Sequence, residues 1–218
     1  MTTMSGRAQP DDAPPAGSLR ERQAAVAREA ILASFVQMLE GGDPEEITLA
    51  DVAERAGVSK RTLYRYFATR ADLVAAAGDW IYERLGLPVE IDGPDDLVAS
   101  AIDASTRAME HVRLTRALND SEAGREIRSP RRLARAQAIE RALSELTAGL
   151  DPAEAARATA MIQYLSSSRT WLLLHDELGL ELTDAQAAMV WALETLLADV
   201  RRRSEARSAA GERDGHPG

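Results

Sequence analysis

The stretch that decides the fold reads Ile47-Thr48-Leu49-Ala50-Asp51-Val52-Ala53-Glu54-Arg55-Ala56-Gly57-Val58-Ser59-Lys60-Arg61-Thr62-Leu63-Tyr64-Arg65-Tyr66-Phe67. Thr48 with Asp51 three residues later is a helix-opening pair, the hydroxyl and the carboxylate each suited to a first-turn N–H. The short helix it opens runs to about residue 55. Ala56-Gly57-Val58-Ser59 then makes a tight turn, for which Gly57 supplies the permissive backbone, and Ser59 can cap a second helix over about 60–67. Ala53 lies four residues before Gly57, where two steeply crossing helices approach closely and only a small side chain fits. Val52, Val58 and Leu63 form the apolar wedge between them. Two short helices joined in this way are a helix-turn-helix, whose second helix enters the major groove of DNA.

The second helix has two faces. Leu63 and Phe67, four apart, point to the core, while Lys60, Arg61 and Tyr64 cluster on the other side with Thr62 at the rim. Arg61 can reach guanine bidentately and Lys60 guanine or phosphate. Thr62 can touch phosphate or a thymine methyl, and the phenols of Tyr64 and Tyr66 can reach phosphate oxygens. Arg70, at the start of the following helix, is placed for another phosphate. With Thr48 and Ser59 these residues form the expected DNA-contacting set. Between Ile47 and Arg70 five basic residues face two acidic ones, a local sign that suits DNA.

The run ITLADVAERAGVSKRTLYRYFATRADLVAAA, over about 47–77, resembles the N-terminal DNA-binding domain of the TetR/AcrR family of transcriptional regulators. The shared cues are the Thr-initiated helix, "AGVS", "TLYRYF", then a basic residue and "ADL". Two positions depart from the pattern: Arg70 stands where lysine is usual, and Arg61 where a small residue is often found. The resemblance implies a dimer whose subunits each carry three DNA-binding helices and about six helices of a ligand-binding domain. It also implies a mechanism, in which an inducer in the helical domain shifts the dimer to a spacing of recognition helices that no longer fits the operator. The helix opened by Thr69 would be the lever.

Outward from the motif nearly everything reads helical, since alanine, leucine, arginine and glutamate dominate and strand-like alternation is missing. Ser18 with Glu21 opens a helix over 19–40. Thr69 with Asp72 opens one to about residue 85, and Gly93-Pro94 precedes a periodic segment running to about 118. Ser129-Pro130, with proline in the first helical position, opens 130–148. Asp151-Pro152 opens 153–178, and Thr183-Asp184 opens a last helix to about 203. With a short helix in 119–128 the count is about nine. The fold class expected is all-α: a disordered tail at 1–17, a three-helix helix-turn-helix domain at 18–68, a roughly six-helix ligand-binding and dimerisation domain at 69–205, and a disordered tail at 206–218.

Composition narrows the function. The chain has 218 residues, a net charge of −9, no cysteine and three histidines without metal-ligand spacing. Disulfides, thiolate metal sites and thiol chemistry are excluded, and no cofactor or metal is expected. The charge is divided: residues 1–70 hold nine basic against ten acidic side chains, and 71–218 hold seventeen against twenty-five. No run reaches the ~18 apolar residues of a membrane span. The first eighteen residues hold no apolar signal-peptide core, so a cytoplasmic address is expected. An all-helical enzyme is the weaker reading, because no Gly-rich phosphate loop, HExxH or Ser-His-Asp set is present.

The C-terminal helices, 153–178 and 184–203, are apolar on more than one face. One face can pack on its own subunit and the other on a symmetry mate as a four-helix bundle, giving a homodimer that reads a pseudo-palindromic double-stranded operator. A pocket for a small-molecule inducer is expected among 94–118, 130–148 and 153–178. Its candidate lining is Ile102, Met109, Val112, Tyr164, Trp171 and His175, with Arg116 and Arg169 as anchors for an acidic group. The leading reading is thus a repressor released by a small molecule. The alternative is a DNA-binding regulator controlled by a partner protein, or an activator.

Overall fold

A computed structural model of the protein describes residues 19–41, 47–87 and 90–214, with side chains to residue 209. The described residues form ten α-helices: α1 (Leu19–Glu40), α2 (Leu49–Arg55), α3 (Lys60–Tyr66), α4 (Arg70–Leu85), α5 (Pro94–Glu110), α6 (Val112–Asp120), α7 (Glu122–Thr147), α8 (Pro152–Leu165), α9 (Ser168–Leu178) and α10 (Leu182–Asp214). The all-α expectation holds. The cap expected at Ser18 and the tail at 1–17 lie outside the described residues.

The N-terminal helices follow their local signals. Thr48 and Thr69 each accept from the N–H three residues on, and Asp51 and Asp72 return the bond to the cap N–H, completing two capping boxes. One core joins Ile31, Leu32 and Phe35 of α1 to Val52, Leu63, Leu73 and Ile81. It does not stop at α4: Leu114 and Leu118 of α6 and Ala123 and Ile127 of α7 belong to it. A second core gathers Leu97, Ile139, Leu143, Ile162, Trp171, Met189 and Leu193 from α5 and α7–α10.

Four sequence expectations are corrected. The segment expected to run to 118 breaks at His111, where Thr115 Oγ1 donates to the Ala108 carbonyl at 3.0 Å and takes up one of the orphan acceptors. Pro130 does not open a helix but lies inside α7, which starts instead at Ser121, whose side chain accepts from the Gly124 N–H. The expected 153–178 helix is two, α8 and α9, because Ser166 and Ser167 interrupt it. Their hydroxyls donate to the Gln163 and Tyr164 carbonyls and compete with the helix's own bonds. The last helix passes residue 203 and enters the stretch expected to be a tail. Arg203 and Arg207 there pair with Glu154 at the start of α8, and alanines, arginines and glutamates carry the helix onward.

Candidate nucleic-acid interface and central cavity

α2 and α3 meet through the turn that Gly57 makes with φ of +66°, a conformation side chains with a Cβ rarely adopt. Val52, Ala53, Leu63 and Phe67 are buried between the helices and α1. Ser59 caps α3, accepting from the Thr62 N–H at 3.1 Å, and its hydroxyl lies 2.9 Å from Thr62 Oγ1. Thr62 is therefore half-buried against the cap, while Lys60 and Arg61 stand exposed and Tyr64 is 53% exposed. Those three make the open outer edge of the helix. Tyr66 is less open: it packs on the core, and Arg65 lies over its ring at 4.9 Å and donates to its hydroxyl at 3.1 Å.

Thr48 is exposed, but its hydroxyl is spent on Asp51, at 2.5 Å. That bond and the return bond from the Thr48 N–H hold the Asp51 carboxyl below its usual range, with Lys60 adding to the effect and burial opposing it. Arg70 is tied elsewhere: its Nη1 donates to both carboxylate oxygens of Glu126 on α7, at 3.0 and 2.8 Å. One contributor escaped the sequence reading. Arg28 of α1 sits 5.6 Å from the Phe67 ring centre, bracing the end of α3 from behind.

The second feature is a cavity of about 160 Å³ in the helical body. α4 contributes Tyr82 and Leu85, α5 Ala101 and Ala108, α6 Leu118 and Asn119, α7 Arg128, Arg131, Arg132 and Arg135, α9 Trp171 and α10 Met189. A groove beside it shares Arg128, Arg132, Arg135 and Ser167 and adds Tyr164 and Arg169. Of the sequence candidates, Trp171 lines the cavity, and Tyr164 and Arg169 line the groove.

The other candidates are placed away from both. Ile102 faces outward, and its carbonyl accepts from Gln186. Met109 and Val112 pack against the second core. Arg116 is paired with Asp176 at 2.5 Å. His175 Nδ1 lies 2.6 Å from the Leu180 carbonyl, so the ring closes the end of α9. What the sequence reading missed is the arginine row of α7, together with Tyr82, whose ring carries Arg131 at 4.2 Å. Burial raises the Tyr82 phenol above its ordinary value, against the pull of Arg131 and Arg128.

Residues 31–77 match the tetR family of bacterial regulatory proteins. No curated protein sequence matches the chain significantly. Among solved structures it is similar to a tetR-family transcriptional regulator from Streptomyces coelicolor, with 18% identity over 90% of this chain and 89% of that one and a TM-score of 0.52. It is also similar to a TetR transcriptional regulator from Rhodococcus sp. RHA1, with 20% identity over 81% of this chain and 97% of that one and a TM-score of 0.49. The Streptomyces structure speaks for the fold, and the matched segment spans the helix-turn-helix itself. No described helix is long and apolar enough to cross a membrane. With a tetR-family motif over its recognition helix and the family's fold around it, the chain is a DNA-binding transcriptional regulator of the TetR family.

Proposed function

We propose that the protein is a dimeric repressor that holds a pseudo-palindromic operator and releases it when a small molecule enters the cavity of the helical body, acting in the cytoplasm. The observation that carries this reading is that one helix, α4, borders both regions. It begins at Arg70, three residues after the buried Phe67, and its last turns line the cavity with Tyr82 and Leu85. A ligand that moves those turns moves the helix on which the DNA-reading helices rest. Differential affinity for the two arrangements of about 1–3 kcal/mol is the usual size of such coupling. Lys60, Arg61, Thr62 and Tyr64 would meet the DNA, with Thr48, Ser59 and Tyr66 shaping the helix ends and Arg70 exchanging a carboxylate for a phosphate.

Dimerisation is assigned to α8 and α10. Met161 is 49% and Trp191 70% exposed, and an open tryptophan is the kind of side chain that a partner surface covers. The test is fluorescence anisotropy of the full chain on DNA from its own upstream region and on scrambled DNA, at two salt concentrations. Specific binding at two chains per site supports the reading. Equal affinity for both DNAs, followed by no enrichment from random sequence, removes it.

A further inference from the structure

Six arginines gather around the cavity and its groove: Arg128, Arg131, Arg132 and Arg135 on α7, with Arg125 and Arg169 beside them. The chain carries a net charge of −9, yet the ion pairs among the described residues involve none of the six. Their partners are neutral. Arg128 Nε donates to the Leu118 carbonyl at 2.7 Å, Arg131 to the Leu87 carbonyl, and Arg135 Nη1 to Ser100 Oγ at 3.3 Å. Burial pulls Arg128, Arg131 and Arg135 below the ordinary guanidinium value. A guanidinium keeps its proton even so, and a buried cation without a counter-charge is destabilising.

The hydrogen-bond inventory points to the same place. Among the described residues, Arg135 Nη2, Trp171 Nε1 and Asn119 Oδ1 are buried without a partner, and all three side chains line the cavity. The amide of Asn119 is oriented by its own bonds, Nδ2 donating to the Thr115 carbonyl at 2.8 Å and to Ser168 Oγ at 3.3 Å. Buried polar groups are almost always satisfied, so two donors and one acceptor left over on one cavity describe the complement of a molecule. The remaining wall is small and apolar, with Ala101, Ala104, Ala108 and Met189.

We propose that the ligand of this cavity is an organic anion, with an oxyanion head held by the α7 arginines and an apolar body against the alanines of α5, an acceptor for Trp171 and a donor for Asn119 completing the fit. This inference rests on the ligand-responsive reading above and adds the chemical class. Neutral and cationic molecules of the same shape leave the arginine charge uncompensated and bind less well. Carboxylate and phosphate heads share the required chemistry.

The test is calorimetric titration of the full-length protein with octanoate, octyl phosphate, octan-1-ol and octylamine. At least one of the two anions is expected to bind one molecule per chain, ten-fold or more tighter than the alcohol, and comparing the two identifies the head. Arg135→Met is expected to weaken that anion at least ten-fold and leave the alcohol unchanged. The same substitution is expected to raise the melting temperature of the ligand-free protein, which a merely structural arginine would not do. Arg132→Gln, at an exposed position on the same row, keeps the test open if the methionine variant does not fold. Alcohol binding equal to that of the anions overturns the inference, as do unaltered anion binding by both variants and an absence of binding by both anions. Anion binding that leaves operator affinity unchanged in anisotropy overturns the release mechanism and leaves the anion site standing.

Discussion

Arg70, the first residue of α4, donates from one nitrogen to both oxygens of Glu126 on α7, 56 positions away in the chain. As a partly exposed pair it adds little stability, of the order of 0–1 kcal/mol. Its position gives it another role. The residue placed for a DNA phosphate is held by the helix that also carries the arginine row. Four residues after Glu126 comes Pro130, which has no N–H to give to the Glu126 carbonyl, so α7 is weakened between the latch and the arginines. A ligand drawn to Arg128 and Arg131 therefore acts on the helix that decides whether Arg70 is free. Glu126→Gln should loosen this latch. The slope of log affinity against log salt is expected to steepen by about 0.9, the signature of one more phosphate contact. An unchanged slope would show that Arg70 does not reach the DNA.

The outer edge of α3 separates reading from positioning. Arg61→Ala should cost about 1–3 kcal/mol on the preferred operator and relax preference at one base position. Tyr64→Ala should weaken binding on all sequences, since a phenol on a phosphate carries no sequence information. Both side chains are exposed, so the melting temperature should not move. Binding assays on operators permuted one base at a time distinguish the two. A uniform loss for Arg61→Ala would reassign it to phosphate.

These residues were legible because their signals are local. Thr48, Gly57, Ser59 and Thr69 act within four residues of themselves, and the structure puts each in the expected cap or turn. The body was less legible because its breaks depend on tertiary contacts. Nothing in the run around His111 stops a helical period, and the break is stabilised by Thr115 reaching back to Ala108. Pro130 is a strong local start signal that the surrounding helix overrides. The cavity was sought among large apolar side chains, as pockets usually are. Its wall is made instead by arginines at 128, 131, 132 and 135, spaced to share one face of a helix. From sequence, a charged row of that kind reads as a solvated face.

The capping box at Thr48 has a pH signature. Thr48→Ala should cost about 1 kcal/mol at neutral pH through loss of the N-cap, lowering the melting temperature by about 2–4 °C. Thr48 holds the Asp51 carboxyl below its usual value, so the ionised form is favoured by folding. Its contribution is fully present above the unfolded carboxyl value of about 3.9 and fades as pH falls through the lower folded value. The difference between wild type and variant should therefore narrow below about pH 4. Thermal melts at pH 7 and pH 3 measure it, and an equal difference at both would show that Asp51 is not coupled to the cap.

The exposed indole of Trp191 tests the proposed subunit contact. Trp191→Glu puts a charge on the α10 surface without disturbing the core, because the side chain is already open. Sedimentation equilibrium should show a dimer for wild type and a shift to monomer for the variant. Operator affinity should fall with it, since two half-sites are then bound independently. A variant that remains dimeric would move the interface away from this face.

The joint between the two regions depends on Gly124. A Cβ at this position would lie 2.4 Å from the Ala117 carbonyl oxygen and 2.5 Å from Leu118 Cα. Both are backbone atoms of α6 and cannot rotate aside. Gly124→Ala must therefore pry α6 from α7, at a cost of at least about 1–3 kcal/mol, the usual range for overpacking. Its effects should reach beyond stability, because Leu118 also accepts the bond from Arg128 and lines the cavity. Gly78→Ala on α4 is the matched control. Its Cβ would meet only the Ile127 side chain at 3.4 Å, and alanine is the better helix former by about 1 kcal/mol. The expected outcome is a clear drop in melting temperature and weaker binding of the anion ligand for Gly124→Ala, with little change or a gain in stability for Gly78→Ala. Equal stability of the two variants would show that α6 and α7 do not approach backbone to backbone at this joint.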